Sequence, residues 1–379
     1  MQVLTGYPNY PSGVLADGYR MRRRMDETLE GVAVRRVALY PNHSASAIRR
    51  FANYASFGAS ALASGIGVLR DLDAIWVNYS PITVAWPMLA ARYGWRVPTV
   101  AHILDLWPDT LLAAGFDGGR YHIAKRMLDI WCGAMYRAAD SVAYISPGVG
   151  DVLRDRGVPA DKLAYVPMWA DETTFRPSDA DMRDELGLSP ETVVLLYAGA
   201  LGAAQGLDAL VDACARVTDP RFICLIAGSG TAEVDLRERC DRVGATNIRF
   251  LDRLPQSRMT ALMATGDFNY IGLRPHPMSA LTMPSKTQAA LASGRALLVA
   301  AEGDVARVVS DCGVGWSVPS GDVTAIAGAI GVACQMGRAD LHRMGVAAKT
   351  YYERTFSVDQ GVQRTEALLE RAAATRGHQ

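Results

Sequence analysis

An α/β fold of two doubly wound, parallel-sheet domains follows from three features of this sequence. Its 379 residues, half of them hydrophobic, suffice for two cores at about 100 to 200 residues per domain. Strand-like apolar runs alternate with helix-length amphipathic segments through the whole chain, the rhythm of βαβ units. That rhythm breaks once, at VPMWADETTFRPSDADMRDELG (166–187), a polar, Pro-containing stretch that reads as an interdomain linker.

Before the break the expected strands are VRRVALY (34–40), DAIWVNY (74–80), VPTVAHIL (97–104) and SVAYIS (141–146). After it come ETVVLLYAGA, a helix over 206–217, RFICLIAGSG, a helix over 231–242, NIRFLD, a helix near 256–264, GDFNYIGL, a helix over 284–293, and RALLVAA. Helices over 322–335, 339–353 and 358–375 follow. The expected domains are 1–170, with a C-terminal helix over about 355–379 packing back on it, and 171–354. Two such domains facing across a cleft would bind ligands at the carboxyl ends of their strands.

Charge narrows the function. There are 39 Lys+Arg against 39 Asp+Glu, so a protein that coats nucleic acid by bulk charge is disfavoured. The six cysteines never fall closer than ten apart, so no CxxC metal or redox signature exists and buried, reduced thiols are expected. The N-terminal segment lacks the order of a signal peptide, and no run of 18 residues is uniformly apolar. A soluble or peripheral cytoplasmic protein is expected.

Three loops carry candidate ligand chemistry. Gly228-Ser229-Gly230 follows an apolar strand and precedes a helix, where backbone N–H groups meet phosphates, but Glu233 stands where a dinucleotide fingerprint wants a third Gly. The turn from Gly199 through Gly202 and Gln205 to Gly206 would let a bulky diphosphate approach the backbone. Both fit equally the glycines of ordinary tight turns. Met283-Pro284-Ser285-Lys286 opens a helix after the loop Arg274–Pro277, combining a hydroxyl, an ammonium and the positive helix end into an anion pocket. Lys286 is one of only four lysines, with Lys125, Lys162 and Lys349, which weighs against a chance cap residue.

His102 and Asp105 end a strand in the first domain, placed to touch a ligand; a structural His beside an N-capping Asp105 or Asp109 fits as well. Between residues 31 and 70 the chain holds Arg35, Arg36, Arg49, Arg50 and Arg70 and no acidic residue. Around the segment 51–69, with Tyr54 and Phe57, these arginines suit an anionic membrane surface, while its small residues suit a helix packed on the sheet. G-x-S-x-G, HExxH and P-loop motifs are missing, which removes the common hydrolase and NTPase chemistries.

The segments LTGYPNYPSG (4–13), GY (18–19), RRFANYASF (49–57), DLWPD (105–109), YVPMWADETTF (165–175), YAGALGAAQGL (197–207) and PSKTQAALASG (284–294) resemble, in order and spacing, the family-4 retaining glycosyltransferases of GT-B fold. Within that family they are similar to the bacterial N-acetylfucosamine transferases of O-antigen and related surface-polysaccharide (capsule) assembly. The resemblance implies two Rossmann-like domains and a nucleotide-sugar donor held by the C-terminal one. It also implies an acceptor held by the N-terminal one, and neither metal nor cofactor.

The sequence departs from the family at three points. The Glu-x7-Glu pair falls on Leu281 and Ala289, leaving Gln288 as the expected substitute for a ribose-gripping carboxylate. Basic residues of the first βα turn are replaced by Ala200 and Gln205, so Lys286, Arg274 and Arg253 are expected to meet phosphate charge. A strand, Gly-containing loop and helix that relatives place ahead of the opening segment are absent, so the expectation is that Met1 is not the full biological start or that the chain is an incomplete copy, its first domain lacking its first strand and helix.

The reading is retaining transfer of a hexose or N-acetylhexosamine from a UDP-sugar to a polyprenyl-diphosphate-linked saccharide at the cytoplasmic membrane face, with no nucleic-acid partner. Backbone N–H groups at Gly199, Gly202, Gly228, Ser229 and Gly230, together with Ser285, would cradle the diphosphate, and His102 and Asp105 would position the acceptor or donor sugar. The alternatives are a UDP-sugar epimerase of the same architecture and a catalytically degenerate scaffold.

Overall fold

The computed structural model describes residues 1–10, 12–42, 46–109 and 121–376; Pro11 of the segment 4–13 and the last three residues of the expected C-terminal helix lie outside them. The chain divides into two units. The first comprises Met1–Ile145, Val149–Val166 and the residues from Arg364 onward; the second comprises Ser146–Gly148 and Pro167–Gln363.

The first unit contains two sheets. One has the order β1 (Gln2–Gly6), β3 (Val32–Val37), β2 (Arg24–Leu29), with β1 parallel and β2 antiparallel to β3. The sequence reading has no counterpart for β2, whose RMDETL lacks an apolar alternation. Cross-strand ion pairs take its place: Asp26 accepts from Arg35 Nε at 2.6 Å and Nη2 at 3.0 Å, and Glu27 pairs with Arg36. The connecting turn puts Glu30 and Gly31 at φ 50° and 81°, the conformation of a two-residue hairpin turn that glycine favours.

The other sheet is parallel, β4 (Ile75–Tyr79), β5 (Thr99–Ile103), β6 (Ser141–Tyr144), β7 (Leu163–Tyr165). Helices α1 (Ala47–Ser60), α2 (Ala85–Trp95) and α3 (Tyr121–Ala138) belong to this unit, and α4 (Pro147–Asp155) begins in the second unit's short segment. Val100, Ala143 and Val166 complete their core with Leu368 and Ala372, from a helix far along the chain.

The second unit is a six-stranded parallel sheet of β8 (Val193–Ala198), β9 (Phe222–Ala227), β10 (Ile248–Leu251), β11 (Phe268–Gly272), β12 (Ala296–Ala300) and β13 (Gly315–Val318). Its spatial order is β10-β9-β8-β11-β12-β13, the doubly wound order, with the switch point between β8 and β11. Both faces are covered, so β8 is apolar at successive residues: Leu195 and Tyr197 enter one core, Val194 and Leu196 the other. The helices are α5 (Leu207–Cys214), α6 (Glu233–Val243), α7 (Met259–Thr265), α8 (Ser285–Ala292), α9 (Asp304–Cys312), α10 (Val323–Met336), α11 (Arg338–Thr355) and α12 (Val358–Arg376), whose residues from Arg364 belong to the first unit.

The stretch 166–187 is not a free linker. From Pro167 it packs into the second unit, with Ala170, Thr174, Met182 and Arg183 buried. Its polarity hides an internal ion pair: Arg183 Nη2 donates to Asp267 Oδ2 at 2.7 Å, and Asp267 also accepts from Val194 N and Arg338 Nε. All six cysteines are free thiols, five of them buried.

Candidate functional site

The two glycine turns of the second unit interlock at the switch point. Gly199 N donates to Ala227 O and Leu201 N to Ser229 O, both at 2.9 Å. Gly199 and Gly228 sit at φ 150° and 140°, and a Cβ on Gly228 would lie 1.9 Å from Gly199 O. Only glycine allows the turns to approach so closely.

Helix α8 starts beside them. Pro284 precedes its first residue in extended conformation, and no side chain caps its free N–H groups. Lys286, in its first turn, sets its ammonium 5.2 Å from the centroid of the Tyr197 ring. A Cβ on Gly199 would lie 2.2 Å from Lys286 Cε, so the missing side chain is what makes room for the lysine. The Tyr197 hydroxyl donates to Ala200 O at 2.6 Å, fixing the ring. Burial lowers the Lys286 pKa below the ordinary lysine value, and among the described residues no carboxylate pairs with it. A partly desolvated ammonium without a counter-ion favours a nearby anion.

These groups form one wall of a cavity of about 700 Å³. Gly199, Gly228, Ser229, Arg253, Ser285 and Lys286 line it, and Trp169, Leu254, Met259, Leu262, Met263 and Ala289 add a largely apolar surface. The carboxylate in the lining, Asp171, accepts from Thr173 and Thr174, which hold its pKa down at about 2, and from Gln256 Nε2 at 3.1 Å. It is therefore ionised and engaged elsewhere. Asn269 lies in the lining with its Oδ1 buried and unpartnered. Of these residues the sequence reading assigned no role to Tyr197, Trp169, Asp171 and Asn269; Trp169 and Asp171, inside the motif 165–175, and Tyr197, opening the motif 197–207, carried a visible signal, and Asn269 did not.

Other expected site residues fall outside this cavity. Gly202 and Gln205 close on each other, Gly202 N donating to Gln205 Oε1 at 3.1 Å. Gly230 packs under the Leu201 backbone, where a Cβ would lie 2.3 Å from its oxygen. Arg274 is exposed and pairs with Asp208 at 3.2 Å. Gln288 faces the interior with its Oε1 unpartnered, one position away from the cavity-lining Ala289, so it is not a ribose-gripping substitute.

In the first unit, His102 is 4% exposed, against Trp76 at a ring distance of 5.0 Å and with Nε2 3.1 Å from Val166 O. Burial drives its pKa down to about 4, against a smaller upward pull from the Val166 carbonyl. The structural alternative for His102 therefore holds, and a catalytic or acceptor-touching role is withdrawn. Asp105 is half-buried and accepts from Ser80 Oγ at 2.7 Å, while Asp109 pairs with Arg156. Arg35 and Arg36 are consumed by Asp26 and Glu27 and are not free for lipid. Tyr54 and Phe57 are half-buried; the Tyr54 carbonyl accepts from Thr83 Oγ1 and Phe57 approaches Gly6. Among the described side chains of α1, Ile48, Arg49, Phe51 and Ala59 are exposed. Among the described residues no three His, Cys, Asp or Glu side chains gather as a metal site.

Comparison with known proteins gives these sites a family. Residues 2–169 match the "Glycosyl transferase 4-like domain" and residues 192–335 the "Glycosyl transferases group 1" domain. The chain is 27% identical over 311 residues to WcaI of Escherichia coli (strain K12), a glycosyl transferase named for colanic acid biosynthesis, covering 80% of this chain and 75% of that one. It is 22% identical to the glycosyltransferase WbjE of Pseudomonas aeruginosa, covering 74% and 69%. Among solved structures it resembles Anabaena HepE in complex with UDP and glucose, with TM-score 0.65, 18% identity and coverage of 90% and 86%. A UDP-forming α,α-trehalose-phosphate synthase from Burkholderia xenovorans, in complex with glucose-6-phosphate, gives TM-score 0.72 at 14% identity, covering 98% and 100%. With a family-4-like first half, a group 1 second half and GT-B neighbours throughout, the chain belongs to the GT-B glycosyltransferases of the family-4-like type.

Proposed function

We propose that this chain transfers a sugar, with retention, from a UDP-sugar to a polyprenyl-diphosphate-linked saccharide in surface-polysaccharide assembly at the cytoplasmic membrane face, as a member of the N-acetylfucosamine subgroup. The observation that carries the donor half is Lys286, a partly desolvated ammonium without a counter-ion at the switch point of the second unit's sheet. HepE, a structural neighbour, is described in complex with UDP and glucose, and WcaI is named for colanic acid biosynthesis, which supports both the donor and the product class.

In this reading the diphosphate lies against the uncapped N–H groups of α8 and the backbone at Gly199, Gly228 and Ser229, within reach of Lys286. As the glycosidic bond breaks, negative charge grows on the leaving diphosphate, and the preorganised ammonium and N–H groups stabilise it. The leaving diphosphate takes the acceptor's proton, so no pair of carboxylates is required. Arg253 supplies a second cation on the cavity wall, and Asp105 in the first unit orients the acceptor. Because Ala289 leaves no carboxylate for the ribose, Asn269, whose Oδ1 is unpartnered, is the cavity's polar candidate for its hydroxyls.

Calorimetric titration of UDP into the intact chain tests the donor half, and mass spectrometry of a polyprenyl-diphosphate-linked acceptor incubated with UDP-sugars tests the transfer. UDP bound with micromolar affinity and an acceptor heavier by one sugar are expected. A folded chain that gives no heat with UDP would overturn the proposal, and conversion of free UDP-sugar without acceptor would replace it with epimerisation.

A further inference from the structure

Helices α1 and α3 both flank the turn Ile82–Val84: Thr83 Oγ1 donates to the α1 carbonyl of Tyr54 at 2.6 Å, and Trp131 Nε1 of α3 donates to Ile82 O at 3.4 Å. Helix α2, which continues that turn, packs against both. The inner face of α3 buries Cys132, Met135 and Tyr136. Its outer face presents Ile123, Met127 and Ile130, at 69%, 67% and 62% exposure and at the i, i+4, i+7 spacing of a helical stripe. On α1, Ile48 and Phe51 are 83% and 57% exposed, and Leu62 continues the row in steps of three and four past Ala55 and Ala59. A soluble surface rarely gathers so many large apolar side chains without a partner.

Charge identifies that partner. Arg49 and Arg50 on α1 and Arg126 on α3 have no acidic partner among the described residues. The segment 47–69 contains no carboxylate, and the single one on α3, Asp129, is neutralised by Lys125 at 2.8 Å. A second copy would set like charges against each other, whereas an anionic lipid surface takes the cations at its headgroups and the apolar stripes below them.

We propose that the outer face of α1 and α3 is an anionic-lipid docking surface, with α3 a second insertion helix beside α1. The inference rests on the reading of a lipid-borne acceptor and adds how the enzyme reaches it. It also replaces Arg35, Arg36, Tyr54 and Phe57 by Ile123, Arg126, Met127 and Ile130 as the groups that touch lipid.

Sedimentation of the intact chain with vesicles tests it. Wild type should pellet with vesicles containing phosphatidylglycerol and stay in the supernatant with phosphatidylcholine alone. Met127→Glu/Ile130→Glu should lower the partition coefficient at least about tenfold, and Arg49→Gln/Arg50→Gln about tenfold with loss of salt dependence. Melting curves check folding, and Met127→Ser and Ile130→Ser serve if the double variant unfolds. Undiminished pelleting by folded α3 variants would overturn the proposal. So would equal recovery in the supernatant from both vesicle types, or a wild-type dimer that Met127→Glu turns into a monomer without any lipid effect. UDP titration of the same variants keeps the readings apart: lost UDP binding with intact docking would sink the donor assignment and leave this one standing.

Discussion

Lys286 and Tyr197 form a cation–ring pair in which a partly buried ammonium without a carboxylate partner stands 5.2 Å over a buried ring held by its own hydroxyl to the Ala200 carbonyl. The ring quadrupole attracts the cation but does not neutralise it, so the charge remains available to an anion.

Replacing Lys286 should therefore separate stability from activity. Lys286→Met removes a partly desolvated charge and should raise the melting point of the ligand-free chain, by an amount on the order of 1 kcal/mol. Under the proposed function it should lower turnover by ~10²-fold, about 3 kcal/mol, because the ammonium stabilises the transition state more than bound donor. Turnover near wild type would remove Lys286 from the donor site. The stability difference should also depend on pH. With the folded pKa below 10.5, the unfolded chain binds more protons between the two values, so wild type gains stability as pH rises through that window while Lys286→Met does not.

At Gly199 any side chain meets two obstacles, φ 150° and the Lys286 Cε 2.2 Å from its Cβ. Gly199→Ala should cost about 1–3 kcal/mol from the backbone alone and displace Lys286 as well. Calorimetry should record weakened UDP binding along with the lower melting point; an unchanged affinity would mean that the lysine has room to move without consequence.

The protonation of His102 predicts an acid limit. Its folded pKa, about 4, lies below its unfolded value near 6.5, so the unfolded chain binds the extra proton between them and stability falls as pH drops through that window, by about 3 kcal/mol in all. His102→Gln, which still donates to the Val166 carbonyl, should flatten this slope and keep wild-type turnover. A large loss of turnover would return His102 to the reaction.

Asp267 joins Arg183, Arg338 and the Val194 amide deep in the second unit. Asp267→Ala removes the nearer carboxylate from the buried Arg183 guanidinium and leaves it only Asp181, at 3.8 Å, which should cost about 3 kcal/mol. Urea denaturation would measure it, and a loss under 1 kcal/mol would mean that water reaches the arginine.

Continuous apolar runs were sufficient to place β4 to β6 and β8 to β12, because strands buried on both faces leave few polar residues; β13 (Gly315–Val318), only partly buried, carries no such run and was missed. The hairpin strand β2 escaped because Asp26 and Glu27 gain their partners only across the sheet, from Arg35 and Arg36. The same blindness to distant partners made 166–187 look like a linker, since Arg183 meets Asp267 only after the sheet has formed. At the site, the spacing of Pro284, Ser285 and Lys286 made a cation in the first turn of a helix legible, whereas the ring beneath it, Tyr197, comes from a distant strand. For His102 the alternation rule placed it on one face of β5 but carried no information about Trp76 and the Val166 carbonyl that cover that face.

The core of the first unit contains Leu368 and Ala372, residues made after the whole of 167–363. During vectorial synthesis, Val100, Ala143 and Val166 must wait uncovered while the intervening six-stranded sheet emerges and folds. The first unit's core is thus completed only when its closing helix arrives, whereas the second unit's sheet is contiguous in sequence and can form without it.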